Sequence, residues 1–262
     1  MLLIRAIFAP AHYRPTTAWG PVQALLVTIL AYVLARLVAT YAVTEIWIAT
    51  KQVTSAMTRQ DLVISAILSA SFWLSVDTLA CVLLAGAAWL AARRGGMQAT
   101  DVLALRMPLC GYRVLLLVGV LMAIGLAAEL AFHFARYAAL PARWGLMGWA
   151  SIGRAAGWPL AVLSVGIVRP IAEELLFRGF LLPALARSRL GFWGAGLVTS
   201  ALFAAAHYYL FTPDVLMLVG FFLGGLFLVW TLGVTGSLWV PMAIHMSYNL
   251  LALLWLRLWG PL

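Results

Sequence analysis

The chain has 262 residues, of which 65% are hydrophobic and 10% charged, and its mean hydropathy is +1.03. Soluble domains carry about 25% charged residues, so one water-soluble core is excluded, and helices of about 20 apolar residues crossing a bilayer fit instead. The net charge of +9 rests on arginines scattered through short loops, with Lys51 the sole lysine; this reads as topology signal and contact with the lipid bilayer, with no nucleic-acid partner.

The fold class is therefore all-α: a polytopic transmembrane helix bundle of about seven spans, with six to eight allowed. In chain order the predicted spans are 21–43, 68–92, 113–135, 157–186, 191–210, 213–232 and 237–258. Residues 44–67 read as a connection with a partly amphipathic helix. The stretch Asp61 to Ala92 exceeds one span, which predicts an interfacial segment or a bend. The chain divides into an N-terminal cytoplasmic segment (1–20), N-terminal transmembrane helices with their connecting segment (21–156) and a C-terminal transmembrane core (157–262). The first apolar run is too long for the core of a signal peptide and reads as a retained anchor. Arg5, Arg14, Arg93, Arg94, Arg106, Arg187 and Arg189 fall in loops on one side of a seven-span arrangement, which places the N-terminus in the cytoplasm; Arg136, Arg143 and Arg154 oppose this. Trp239 and Trp259 suit the two interfaces of the last span, and Cys81 and Cys110 form no CxxC pair.

Ionisable side chains in hydrocarbon cost a few kcal/mol or more each, so each requires a reason. In the first half these are Arg36, Asp77, Glu129 and His133; Arg36 and Asp77 are one another's natural partners, and Glu129 with His133 suits an interhelical hydrogen bond. The rest lie in the last four spans. Glu174 and Arg178 are at i,i+4 and share a helix face, so they form a pair. Glu173 projects about 100° away and is free for chemistry, unless Arg169, four residues before it, takes it as a partner. His207 follows Phe203 and three alanines, small residues that let a neighbouring helix come close. His245 and Asn249 are again at i,i+4; such an Asn orients an imidazole or donates to an oxyanion. Depth adds an independent constraint. Counted from the turn at 187–190, Glu173 and His207 lie about 21 and 25 Å deep, and from the turn at 233–236 His245 and Asn249 lie about 13 and 20 Å deep on the same side. With some tilt they meet in one buried layer. The alternative is a salt-bridge cluster that only locks helices together.

Three short patterns carry a resemblance: Glu173-Glu174-Leu-Leu-Phe-Arg178, Phe203-Ala-Ala-Ala-His207 and His245-Met-Ser-Tyr-Asn249. In type, order and apolar setting they resemble the signatures Glu-Glu-x-x-x-Arg, Phe-x-x-x-His and His-x-x-x-Asn of the CPBP family, the CAAX-protease and bacteriocin-processing (Abi) membrane enzymes. The resemblance covers about 157–258; the first three spans match in hydropathy alone. It implies an intramembrane endopeptidase acting on a membrane-embedded or lipid-anchored polypeptide, in a multi-pass protein of the cell membrane (in a bacterium, the inner membrane). By position, Glu173 would activate water, His207 and His245 would hold that water, Asn249 would stabilise the oxyanion, and Glu174, Arg178 and Phe203 would support the site. Glu173, His207 and His245 are also the donor set for a divalent metal such as zinc, although no His-Glu-x-x-His is present and a metal-independent route through Glu173 is preferred. The same polar layer would serve a transporter or channel, or a non-catalytic membrane scaffold, but no inverted repeat supports transport.

Overall fold

The computed structural model describes residue 10 and residues 12–52, 57–139, 157–207 and 215–259. All regular secondary structure among them is helical. The long helices are α1 (Pro21–Gln52), α3 (Ala70–Ala92), α5 (Tyr112–Ala139), α6 (158–186), α7 (Gly191–Ala206), α8 (Val215–Thr235) and α9 (Trp239–Trp259); α2 (Arg59–Ile67) and α4 (Ala99–Val102) are short. Each of the seven predicted spans has a helix. Among the described residues, three helices are long and apolar enough to cross a membrane by themselves: Pro21–Lys51, Ala70–Ala92 and Val215–Thr235. Arg5, Arg143 and Arg154 lie outside the described residues, as do the side chains of Glu129, His133, Arg136 and Trp259.

The bend expected between Asp61 and Ala92 is a full break. Thr58 and Asp61 form a reciprocal capping box that starts α2. At the far end Ser69 caps α3 by accepting from the backbone N–H of Phe72, so the chain ends one helix and begins another within two residues. In contrast, α1 continues beyond the predicted end at residue 43 as far as Gln52. Ala39 on α1 packs with Phe72, Val76 and Ala80 of α3; the two alanines let the helices come close.

At the centre lies α6, whose residues 172–185 are all buried between α1, α3, α7 and α9. A helix buried on every side must be apolar all round except where a function or an ion pair requires otherwise. Its prolines explain its irregular path. Pro159 sits in the first turn, where its missing N–H is harmless. Pro170 and Pro183 are each preceded by a widened π-helical stretch, Val162–Val168 and Leu175–Leu181. There the hydrogen bonds slip to i→i−5: the N–H of Arg169 reaches Ser164 O and that of Leu182 reaches Phe177 O. Proline supplies no N–H and its ring crowds the previous turn, so the helix opens just upstream. Only six residues, Arg169–Glu174, keep the α geometry between the two wide turns.

On one side of the bundle the connections are tied to one another. The loop after α4 meets the α8–α9 turn through Leu109 N–H to Thr235 O (2.8 Å), Leu238 N–H to Ala104 O (2.9 Å) and Arg106 Nε to Gly236 O (2.8 Å). The N-terminal segment crosses the same turn, and a Cβ at Gly236, where φ is +66°, would lie 2.5 Å from His12 O. Arg187 donates to Thr17 O, and Trp19 donates to Ala91 O at 2.8 Å. The α8–α9 turn is consequently buried, with Thr235, Ser237 and Leu238 fully covered. Arg14, Arg93, Arg94, Arg187 and Arg189 are exposed on this side, with Arg106 half-buried.

Candidate active site

Glu173 and Glu174 occupy the α-helical segment between the wide turns of α6, and both are buried. Glu174 is fully enclosed with Arg178, one turn on, and Nη1 of Arg178 donates to Glu174 Oε1 at 2.9 Å. The same oxygen meets Nδ1 of His245 at 3.0 Å. The sequence assigned Glu174 to Arg178 alone; its grip on His245 comes from α9 crossing α6 and could not be read from spacing. Arg178 is further held by Gly225 O at 3.3 Å and lies over the ring of Phe203 at 4.5 Å.

Phe203 is the aromatic hub of the site. Its ring meets Phe177 edge-on at 5.7 Å and lies 4.6 Å from the His207 ring and 5.7 Å from that of His245. His207 caps the end of α7, its Nδ1 is 2.8 Å from Phe203 O, and its other face stacks on Phe221 of α8 at 4.3 Å. Phe221 went unnoticed in the sequence because it belongs to a run of apolar residues with no distinguishing signal.

The bonds at Nδ1 set the tautomers. A carbonyl or a carboxylate accepts only, so Nδ1 of each imidazole carries the proton, and in the neutral ring Nε2 bears the lone pair. Both Nε2 atoms face Glu173: His207 Nε2 is 3.8 Å from Oε1 and His245 Nε2 is 3.7 Å from Oε2. Three acceptors thus converge at separations too long for a direct hydrogen bond. Oε2 of Glu173 is buried with no hydrogen-bond partner. Buried polar atoms are nearly always satisfied, so this orphan, facing His245 with His207 at the other oxygen of the same carboxylate, marks a place for a hydrogen-bond donor. Among the described residues no group of three His, Cys, Asp or Glu side chains is arranged to hold a metal ion.

Asn249, expected at the oxyanion, directs its amide elsewhere. Nδ2 donates to Val165 O at 2.8 Å. Helix α9 comes this close to α6 because Gly166 has no side chain; a Cβ there would lie 2.5 Å from Leu250 Cδ2.

Arg169 also departs from the simplest reading. Its guanidinium binds Asp77 of α3, with Nε and Nη2 2.9 and 2.7 Å from Oδ2. Ser164 Oγ adds a bond to Oδ2 at 3.0 Å, and Nη2 of Arg36 meets Oδ1 at 2.8 Å. The pairing of Arg36 with Asp77 is as expected, whereas the inclusion of Arg169 is new. Among the described side chains, Arg36 and Arg169 are thus paired with Asp77, and Arg178 with Glu174.

Comparison with known proteins gives two likenesses. Residues 155–251 match the model of a family described as type II CAAX prenyl endopeptidase Rce1-like, in agreement with the CPBP resemblance. An Escherichia coli protein described as "Uncharacterized 24.3 kDa protein" is 38% identical over 97 residues, which is 36% of this chain and 43% of that protein. The chain therefore spans somewhat under half the length of that curated relative. No solved structure matches.

Proposed function

We propose, taking residues 155–251 as an Rce1-like domain of the CPBP type, that the protein is an intramembrane endopeptidase in which Glu173 activates water. Its substrate would be a membrane-anchored or C-terminally tailed polypeptide: a CAAX-like, sorting-tail or bacteriocin-type chain. The observation that carries this reading is that both oxygens of Glu173 face an imidazole, Oε1 at 3.8 Å from His207 Nε2 and Oε2, which has no hydrogen-bond partner, at 3.7 Å from His245 Nε2. A water placed there donates one hydrogen to Glu173 and the other to an imidazole Nε2, which turns its lone pair outward. Glu173 takes the proton as the water oxygen bonds to the scissile carbonyl carbon. The protonated Glu173 then returns that proton to the departing amine as the C–N bond breaks. Proton transfer by a carboxylate positioned in this way is worth about 10²–10⁴ in rate. Glu174 holds His245 in the required tautomer, and Phe203 O does the same for His207.

A divalent metal such as zinc would need Glu173, His207 and His245 to draw closer than they stand here, and the chemistry it would supply is a more acidic bound water. The preferred route needs only the residues present. We also propose seven spans with the N-terminus in the cytoplasm of a bacterial cell. All seven predicted spans are helical, and the exposed arginines before α1, after α3 and after α6 share one side.

The test uses the purified full chain in detergent or liposomes and a quenched fluorescent peptide ending in a farnesylated Cys and three further residues, the CAAX pattern. Wild type is expected to cleave it, while Glu173→Gln and His207→Ala lose cleavage and keep the wild-type melting temperature. Cleavage surviving both substitutions would remove the site assignment. A chelator that abolishes wild-type activity, with restoration by added zinc, would replace the water route with a metal route.

A further inference from the structure

The role of Asn249 follows from Pro170. In the widened turn of α6 the N–H of residue n bonds to the C=O of residue n−5, as Arg169 does to Ser164. The next N–H in this register belongs to residue 170, and its acceptor would be Val165 O. Residue 170 is proline and has no N–H. The Val165 carbonyl is left without its helical partner in a buried stretch, and Asn249 Nδ2 occupies that place at 2.8 Å.

We propose that Asn249 is a positioning residue that substitutes for the peptide N–H missing at Pro170 and so fixes the segment carrying Glu173. The six residues Arg169–Glu174 lie between two wide turns, so their rotation is not set by a continuous α ladder. Asn249 ties the upstream turn to α9, the helix that also carries His245. One side-chain bond therefore sets the Glu173 carboxylate and the His245 imidazole in a common frame. This role in catalysis rests on the endopeptidase reading; the bond that replaces the proline N–H does not.

Four full-length proteins test it: wild type, Asn249→Leu, Pro170→Ala and the double variant. Pro170→Ala restores an N–H at the position where the carbonyl lacks one. Asn249→Leu orphans a buried carbonyl and is expected to lower the melting temperature by about 5 °C. With the farnesylated peptide it is expected to lower kcat roughly a hundredfold, with KM within about twofold, as misplacement of a reacting group does. In the double variant both the melting temperature and kcat are expected to recover most of the loss, although Pro170→Ala changes the wild type little. Additive melting temperatures would overturn the substitution for the proline N–H. Recovery of the melting temperature while kcat stays low would overturn the positioning role and show that Asn249 touches the reacting carbonyl. If the wild type fails to cleave the peptide, the endopeptidase reading fails for that substrate class, and the melting-temperature cycle still decides the Val165 link.

Discussion

Replacing Arg178 by methionine removes a fully buried cation whose two terminal nitrogens are both bonded. The variant loses the 2.9 Å ion pair to Glu174, the 3.3 Å bond to Gly225 O and the contact over Phe203. It also leaves Glu174, equally buried, as a carboxylate without its cation. Breaking one side of a buried pair costs about 3–5 kcal/mol, whereas an exposed pair contributes about 0–1 kcal/mol. At about 2–4 °C per kcal/mol for a chain of this size, the melting temperature should fall by roughly 6–20 °C. Glu174→Gln in the same background removes the stranded charge and keeps an oxygen for Nδ1 of His245, so the double variant should regain at least half of the loss. Thermal unfolding in detergent, followed by the fluorescence of the 12 tryptophans, measures both. A loss below about 1 kcal/mol for Arg178→Met, or a double variant no more stable than the single, would refute the buried pair as the structural anchor of the site.

Two further outcomes follow from the other charged groups. Asp77→Leu leaves Arg36 and Arg169 without the carboxylate that both share; it should cost about 3–5 kcal/mol, measured by the same melting experiment, although Asp77 lies outside the matched residues 155–251. At the start of α2 the Thr58 hydroxyl, and then the Thr58 backbone N–H, hold the Asp61 carboxyl below its usual range. A group whose folded-state pKa is lowered adds stability above its unfolded pKa and loses it as pH falls through the folded value. Hydrogen exchange across residues 58–67 should therefore quicken as pH drops below about 4, after correction for intrinsic rates, and Thr58→Ala, which keeps the backbone N–H but loses the hydroxyl, should weaken that pH dependence.

Much of the bundle was legible because bilayer insertion imposes a strong rule: every backbone polar group must be satisfied within its own segment, so long apolar runs become helices. The patterns at Glu173, His207 and His245 were legible for a related reason, since a costly polar residue in an apolar run stands out. The i,i+4 pairing of Glu174 with Arg178 follows from helix geometry alone. The break at Leu68 and Ser69 was foreseen as a bend but not located, because its signal is a serine cap within a stretch that stays apolar on both sides.

The class of fold, the positions of the helices and the identity of the polar residues that require partners are all written along the chain. Tertiary structure alone decided which partners they take. Asp77 gathers two arginines from different helices, His245 rests on Glu174 while facing Glu173, and Asn249 bonds a carbonyl of α6 rather than facing open space. The physical reason lies in the crossing of helices far apart in sequence. Pro170 determines locally that one carbonyl will lack an N–H. Only the approach of α9 at Gly166 determines that Asn249 supplies it.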